Sequence, residues 1–260
     1  MSTSNSDKRV LALGAHPDDI EFLMAGTLAL LHQRGYEIHM ATVCNGDKGS
    51  ETLEPQEIAS IRFKEATRSA KILDAGFTCL NVPDLELIFE NKIRAKVTEL
   101  MRKVDPSIVI TLSPEDYMPD HVITSYLAWD ACFNASVPNY KTGQSDPAKA
   151  TKRIPHLYYA DPLEGVNRFG ERLIPDFYVD ITSVFEIKEK MLSQHESQRS
   201  WLRIQHGIDE YLLSMRRWSR ERGKEAGVKF AEAFKQHKGH PFPKENLLQK
   251  IMPNLVIHKR

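Results

Sequence analysis

A short polar stretch between an apolar run and an amphipathic pattern constrains the fold of this chain more than any other feature. The apolar run, residues 10–13, predicts a buried strand, and the spacing of apolar residues over 20–34 predicts a helix. Between them the chain reads Gly14-Ala15-His16-Pro17-Asp18-Asp19-Ile20-Glu21. A histidine and three carboxylates therefore lie at the carboxyl end of a first strand, where open α/β sheets bind their ligands.

The chemistry of this stretch has two interpretations. Acidic residues are common in the first turn of a helix, where they cap N–H groups or offset the helix dipole. That explanation accounts for Asp18, Asp19 or Glu21 singly, but it does not account for His16. A histidine and carboxylates this close together can also bind a divalent metal and leave one carboxylate free for proton transfer. From the residues alone, both interpretations stay open.

Strands alternate with helices through the first half of the chain. The pattern predicts strands over residues 37–44, 77–82 and 107–112, and helices over residues 57–74 and 93–104. Short, fully apolar strands such as the one predicted over residues 107–112 are typical of a parallel sheet that is buried on both faces. We therefore expect an α/β fold with a Rossmann-like, doubly wound, mostly parallel sheet flanked by helices.

The second half of the chain is expected to add strands and helices to this sheet. Two strands are predicted over residues 157–160 and 177–181, at or near a sheet edge. Long, charged, amphipathic helices are predicted over residues 186–205 and 208–222.

Composition narrows the range of functions. The length suits one domain over residues 1–260, with a flexible N-terminus at 1–7 and a C-terminal extension at 235–260. Basic and acidic side chains number 35 each, so no charge footprint for nucleic acid or an anionic membrane is visible. No apolar stretch is long enough to span a membrane. We expect a cytoplasmic protein that acts on a small molecule. The sequence is also compatible with a homo-oligomer.

A second polar stretch follows the apolar strand predicted over residues 107–112. It reads Ser113-Pro114-Glu115-Asp116-Tyr117-Met118-Pro119-Asp120-His121, and His121 then opens an apolar helical pattern. A lone histidine at a helix start is more often a surface residue than a metal ligand, so this stretch does not by itself predict a site.

Together the two stretches resemble the LmbE-like (PIG-L) deacetylases, and the resemblance extends over most of residues 8–240. His16-Pro17-Asp18-Asp19-x-Glu21 and Pro119-Asp120-His121 match the family's two motifs, and residues 230–234 resemble a late strand of the family. The resemblance implies a zinc-dependent hydrolase that removes N-acyl groups, mostly from substrates that contain N-acetylglucosamine. It implies a metal site with three protein ligands, with iron as an alternative to zinc, and a carboxylate that acts as general base. The implied ligands are His16, Asp19 and His121, and the implied base is Asp18.

The same resemblance implies contacts with the substrate. Relatives place an arginine near Arg62 that reaches the substrate, although Arg62 lies one turn from Glu65 and the two side chains can also pair with each other. Asp84 follows a strand end, as does the substrate-contacting carboxylate of relatives, although an aspartate after a proline is common in turns. Asp116 and Tyr117, in the second stretch, are further candidates for substrate binding.

The chain departs from the family pattern at Met118. Many members carry a histidine there, just before the proline, which is credited with polarising the amide or protonating the leaving amine. A thioether cannot donate a proton, so another group must serve. The candidates are Asp116, Tyr117 and His195. His195 is preferred as a catalytic residue because its His-x-Ser-Gln run lies on a predicted helix that could close over the crevice, while a solvated helix face remains its ordinary explanation.

The sequence is compatible with two functions. The first is a zinc amidohydrolase that deacetylates an N-acetylglucosamine-type amino sugar or conjugate, and the alternative is a metal- and carbohydrate-binding relative with little or no hydrolase activity. Asp18 favours the enzyme, because a binding module needs no free base beside its ligands, whereas Met118 keeps the alternative open. A dinucleotide-binding enzyme is excluded, because the first turn lacks the glycine-rich loop that such enzymes need.

Overall fold

A computed structural model describes residues 8–199 and 210–258, which build one eight-stranded sheet with helices packed on it. The strands are β1 Arg9–Gly14, β2 Glu37–Cys44, β3 Gly76–Val82, β4 Ile108–Thr111, β5 His156–Ala160, β6 Phe177–Asp180, β7 Ala231–Gln236 and β8 Val256–Ile257. The helices with described bounds are α1 Asp19–Leu23, α2 Ala25–His32, α3 Pro55–Lys71, α4 Asn91–Val104, α5 Pro119–Asn134, α6 Phe185–Leu192, α7 Glu210–Ala226 and α8 Leu247–Ile251. The N-terminus predicted to be flexible, residues 1–7, lies outside the described part of the chain.

The topology of the sheet confirms the predicted doubly wound α/β fold. The strand order is β3-β2-β1-β4-β5-β7-β6-β8, in which the first five strands pair in parallel and the remaining pairs are antiparallel. The chain leaves β1 toward β2 on one side and later returns to place β4 on the other. The order of the strands therefore reverses beside β1, and such a switch point opens a ligand crevice at the carboxyl ends of the strands.

The central strands bury both of their faces, as the unbroken apolar runs predict. Along β1, Val10 and Ala12 pack into one core cluster together with α2, whereas Leu11 and Leu13 pack into a second cluster with α4 and α5. All four side chains are fully buried. Successive residues of a strand point to opposite faces, so an apolar residue at every position requires a helical layer on each side of the sheet.

The position of the later strands differs in part from the prediction. The strand predicted over residues 157–160 is interior rather than at an edge, because β7 pairs with its free side. The strand predicted over 177–181 is β6, which lies next to the edge strand β8. The prediction over residues 230–234 is confirmed as β7, and the C-terminal extension supplies β8. The C-terminal strands therefore widen the sheet beyond what local patterns could indicate.

The single helix predicted over residues 20–34 is wrong, because the chain forms two helices with a break at Met24, whose φ is −142°. The side chain of Glu232, on β7, accounts for the break. One carboxylate oxygen accepts the N–H of Gly26 at 2.9 Å, and the other accepts the N–H of Thr27 at 2.7 Å. The carboxylate thus caps a new helix N-terminus, where N–H groups have no partner within the helix.

Residues 200–205 of the helix predicted over 186–205, and residues 208–209 of the one predicted over 208–222, lie outside the described part of the chain. The first of these helices is interrupted, since α6 ends at Leu192 and helical residues resume only over 196–199. Beyond α6, the N–H and the hydroxyl of Ser197 donate to the two carboxylate oxygens of Glu65, on α3, at 2.9 and 2.7 Å. This contact holds the segment around His195 against the layer that packs on β1. Among the described helices, none combines the length and the apolar character that crossing a membrane requires.

Replacing Lys188 by Met should lower the free energy of unfolding by about 3–5 kcal/mol, the cost of leaving a buried charge unpaired. Nζ of Lys188 lies 2.5 Å from Oε1 of Glu232, and both side chains are at most 2% exposed. Denaturant titration measures the change. As a control, Lys224→Met removes a pair with Glu221 in which both side chains are exposed, and should cost less than about 1 kcal/mol. Equal costs for the two variants would show that the buried pair does not support the fold.

Candidate active site

The carboxyl ends of β1 and β4 bring two histidines and an aspartate together. His16 follows β1, Asp19 begins α1, and His121 lies in the first turn of α5, after β4. Nδ1 of His16 is 3.6 Å from Oδ2 of Asp19, and Nε2 of His121 is 3.3 Å from Oδ1 of the same carboxylate. One ligand-type atom from each residue lies within 4.8 Å of the other two. The structure therefore groups the three side chains that the sequence implied as metal ligands.

The turn after β1 fixes the carboxylate of Asp19. Its Oδ2 accepts the backbone N–H groups of Ala15 and His16 at 2.9 and 2.8 Å, which leaves Oδ1 facing His121. Gly14 makes room for this arrangement, because a Cβ at that position would lie 3.2 Å from the Cβ of Asp19. The turn also places Asp18 at a φ of 118°, a strained conformation for a residue with a side chain. Strain of this kind is typical of functional sites.

Each histidine meets a second carboxylate at its other ring nitrogen. Nδ1 of His121 is 3.1 Å from Asp116, and Nε2 of His16 is 3.0 Å from Asp120, whose carboxylate also accepts the N–H of Leu85 at 2.8 Å. Metal-binding histidines commonly have such partners, which orient the ring and fix its tautomer. Asp120 was missed in the sequence, although its place between Pro119 and His121 in the motif was an available signal.

Electrostatics make this cluster attractive to a cation. Burial disfavours a charged imidazole, but Asp19 and Asp116 outweigh it and raise the pKa of His121 to about 10. The pKa of His16 is also raised, since hydrogen bonds with Asp120 and Asp19 overcome its burial. Burial opposes ionisation of Asp19 as well, yet His121 and His16 lower the pKa of its carboxyl well below the usual value. A metal ion must displace protons to bind such ligands.

The donor set fits zinc. Two imidazole nitrogens and one carboxylate oxygen are the ligands of many catalytic zinc sites, which keep a further position open. A second, overlapping set of ligand-type atoms comes from His16, Cys44 and Asp120. Burial raises the pKa of the Cys44 thiol to about 11, and a protonated thiol is a poor ligand. The chemistry of the donors therefore favours the set that contains His121.

Asp18 lies next to these ligands without belonging to either set. Its Oδ2 accepts two hydrogen bonds, from the hydroxyl of Tyr211 at 2.6 Å and from Nη2 of Arg62 at 3.1 Å. Among the described residues, its Oδ1 has no hydrogen-bond donor. Burial raises the pKa of the Asp18 carboxyl, although Arg62 opposes the shift. The two donors thus hold one oxygen of this carboxylate, and within residues 8–199 and 210–258 no donor holds the other.

A cavity of about 460 Å³ opens above this cluster, a volume ordinary for small-molecule sites. Tyr117 is 55% exposed at its wall, and its ring stands edge-on to His121 with 5.7 Å between the ring centroids. Tyr211 forms another part of the wall and meets Phe22 edge-on at 5.7 Å. Of the four residues predicted to bind substrate, Tyr117 and Asp116 line this cavity, and the side chain of Asp116 is fully buried against His121.

The other two predicted substrate contacts, Arg62 and Asp84, lie beneath the cavity. Arg62 is 4% exposed, and its guanidinium donates to the carbonyls of Pro17 and Gly46 at 2.6 and 3.3 Å. Asp84 is 5% exposed, and its carboxylate accepts the N–H of Gly46 at 2.8 Å. Both side chains tie the loop after β2 to the turn after β1. Their contact with a substrate stays a prediction.

His195, the predicted proton donor, is fully buried below α1 and does not line the cavity among the described residues. Its Nε2 lies 3.1 Å from a carboxylate oxygen of Glu21, the last residue of the first motif. Burial lowers the pKa of His195, but the charge of Glu21 outweighs this and raises it. A direct part in the chemistry stays a prediction. Tyr211, in contrast, was missed because no motif or spacing links it to Asp18.

Comparisons with known proteins agree with this geometry. Residues 11–132 match the family described as PIG-L: GlcNAc-PI de-N-acetylase. A diacetylchitobiose deacetylase of Thermococcus kodakarensis is 30% identical over 202 residues, which cover 75% of this chain and 71% of the relative. A 4-oxalmesaconate hydratase of Pseudomonas putida is 25% identical over 189 residues, 70% of each chain.

A solved structure of N,N'-diacetylchitobiose deacetylase from Pyrococcus horikoshii superposes with a TM-score of 0.75 and 27% identity, covering 91% of this chain and 87% of that one. The likeness therefore extends beyond the matched N-terminal half into the C-terminal strands and helices. Sequence motif, ligand geometry and overall fold lead to one conclusion: the chain belongs to the PIG-L family of LmbE-like deacetylases.

Proposed function

We propose that this protein is a metal-dependent hydrolase that removes the N-acetyl group from an N-acetylglucosamine-type amino sugar or conjugate. The observation that carries the proposal is the available oxygen of Asp18 beside the set His16, Asp19 and His121. A module that only binds metal and sugar has no need of a restrained base beside its ligands. Relatives that are named as deacetylases of acetylated amino sugars support the same reaction class.

His16, Asp19 and His121 would hold the metal, for which zinc suits the ligands best and iron is the alternative. When bound there, the ion would polarise the acyl oxygen and make water more acidic. Asp116 and Asp120 would keep the two imidazoles in the orientation that presents the correct ring nitrogen.

Asp18 would move the proton in both halves of the reaction. Its Oδ1 accepts a proton from the water whose oxygen attacks the acyl carbon, and the carboxyl then returns that proton to the amine nitrogen as the C–N bond breaks. The products are acetate and a free amino sugar. The hydrogen bonds from Tyr211 and Arg62 to Oδ2 keep the other oxygen turned toward the reacting atoms.

Tyr117 is the group best placed to serve where Met118 cannot. Burial, together with the charges of Asp19 and Asp116, raises the pKa of Tyr117 to about 12, so its hydroxyl stays a donor at neutral pH. Its side chain lines the cavity beside His121, whereas His195 is engaged with Glu21 below it. We assign Tyr117 to stabilising the negative charge that develops on the acyl oxygen.

The decisive experiment is metal analysis of the purified protein followed by an assay of amine and acetate release. N-acetylglucosamine, its methyl glycosides and N,N'-diacetylchitobiose form the first panel. Release of equal amounts of amine and acetate, abolished by a chelator and restored by zinc or iron, is the expected result. Failure of the metal-loaded protein to release amine from any member of the panel would overturn the proposal.

Replacing His121 by Ala should weaken metal binding by at least about 10–100-fold, the loss already typical of removing an outer-shell partner of a ligand. Cys44→Ala is the matched control, because it alters only the alternative set and leaves His16 in place. Metal content after dialysis and competition with a chromogenic chelator measure the affinity. The ligand assignment is wrong if Cys44→Ala, rather than His121→Ala, loses the metal.

Asp18→Asn should lower kcat by about 10²–10⁴-fold, as expected for losing a general base, while metal content and unfolding midpoint change little. The amide keeps the shape of the carboxylate and cannot accept the proton. Asp130→Asn, which alters a salt bridge with Arg94 on the outer side of α5, is the control and should retain wild-type turnover. Wild-type turnover by Asp18→Asn would reduce this residue to a structural part of the turn.

Removing the side-chain hydroxyl of Tyr211 or of Tyr117 should lower kcat with little change in KM or metal content. For Tyr211→Phe we expect about 10-fold or more, from losing a charge-assisted hydrogen bond to Asp18. For Tyr117→Phe we expect about 10²-fold, from losing a donor to the oxyanion. Tyr126→Phe, on the exposed side of α5, is the control. A rise in KM alone would mean that the hydroxyl binds substrate and has no role in the reaction itself.

A further inference from the structure

Acidic side chains outnumber basic ones among the described residues that line the active-site cavity. Four carboxylates line it, from Asp18, Asp19, Asp116 and Glu210, and no lysine or arginine does so within residues 8–199 and 210–258. The cation nearest to the base, Arg62, is 4% exposed and engaged with Asp18. Arg62 offsets the charge of Asp18, and a bound dication would offset those of Asp19 and of Asp116, which is buried against His121. The charge of Glu210 then has no counterpart among the described residues of the wall.

Glu210 stands apart from the other three carboxylates. Asp19 is a proposed ligand, Asp18 the proposed base and Asp116 the partner of His121, whereas Glu210 has none of these roles. It begins α7, one residue before Tyr211, and adds a carboxylate to the wall. Within residues 8–199 and 210–258 no ion pair engages this carboxylate, so its charge acts on whatever the cavity holds.

Apart from His121 and Ser214, the rest of the described wall is apolar or aromatic. Phe22 and Leu23 come from α1, Tyr117 from the loop before α5, Leu163 from the segment after β5, and Tyr211 from α7. Aromatic rings pack well against the C–H faces of a pyranose, and carboxylates accept hydrogen bonds from its hydroxyl groups. None of these residues carries a positive charge that would pair with a carboxylate or phosphate on the substrate, and like charges placed together in a site are strongly unfavourable.

We infer that the site selects an uncharged amino-sugar glycoside, discriminates against conjugates with a carboxylate or phosphate near the sugar, and uses Glu210 as a specificity-determining residue. The inference rests on the proposed deacetylase function and adds to it the charge class of the substrate. The selection would act by repulsion as well as by fit, because the negative charge of the wall disfavours binding of an anionic conjugate.

The test compares two glycosides of N-acetylglucosamine that differ only in charge: the carboxymethyl glycoside and its amide, the carbamoylmethyl glycoside. With the metal-loaded enzyme at low ionic strength, kcat/KM for the amide should exceed that for the acid by at least about 10-fold. The ratio should shrink as salt is added, because salt screens the repulsion. Equal values for the two compounds, or faster turnover of the acid, would overturn the inference.

Variants of Glu210 locate the origin of the discrimination. Glu210→Lys should bring the ratio of the two kcat/KM values toward one, and Glu210→Gln should shift it in the same direction by less. Glu221→Lys, on an exposed turn of the same helix, is the matched control and should keep the wild-type ratio. A wild-type ratio in both Glu210 variants would exclude this residue as the determinant.

The outcomes separate this inference from the proposed function. If neither glycoside releases amine, the proposed deacetylase function fails and the inference fails with it. If both are deacetylated equally well, the deacetylase function stands and only the selection by charge is overturned.

Discussion

The geometry of the site depends on Asp19, whose two carboxylate oxygens make different contacts. One oxygen of Asp19 accepts hydrogen bonds from two backbone N–H groups of the turn after β1. The other oxygen faces His121, on the helix that follows β4. The turn and α5 are therefore held in a fixed relation even though they come from separate parts of the chain. The three proposed metal ligands are therefore held close together by contacts of the chain itself.

Further charged and polar side chains surround the two histidines and Asp18. Asp116 and Asp120 lie behind the two histidines, while Arg62 and Tyr211 restrain Asp18 from the other side. Such an arrangement stabilises a cation at the centre and makes the surroundings unfavourable for an anion. The same carboxylates that favour the metal therefore also limit which substrates can approach it.

The sequence revealed the parts of this arrangement that are close together along the chain. The proposed ligand set came from the resemblance of two short motifs to a known family, and the strands of the parallel half were predicted from apolar runs. The break in the first helix could not be seen, because Glu232, which causes it, lies 206 residues from Gly26. The restraint on Asp18 by Tyr211 spans 193 residues. Local patterns carry no record of such contacts, and the burial of His195 was hidden for the same reason.

The spacing of these parts has a consequence for how the protein is made. All three proposed ligands emerge from the ribosome within the first half of the chain, whereas the hydroxyl that restrains Asp18 is synthesised only when α7 is reached. Ligands for the metal are thus present in the nascent chain well before its base can be positioned. Chains that are cut or stalled before α7 would carry all three proposed ligands and lack the hydroxyl that restrains the proposed base, so full activity would require synthesis through α7.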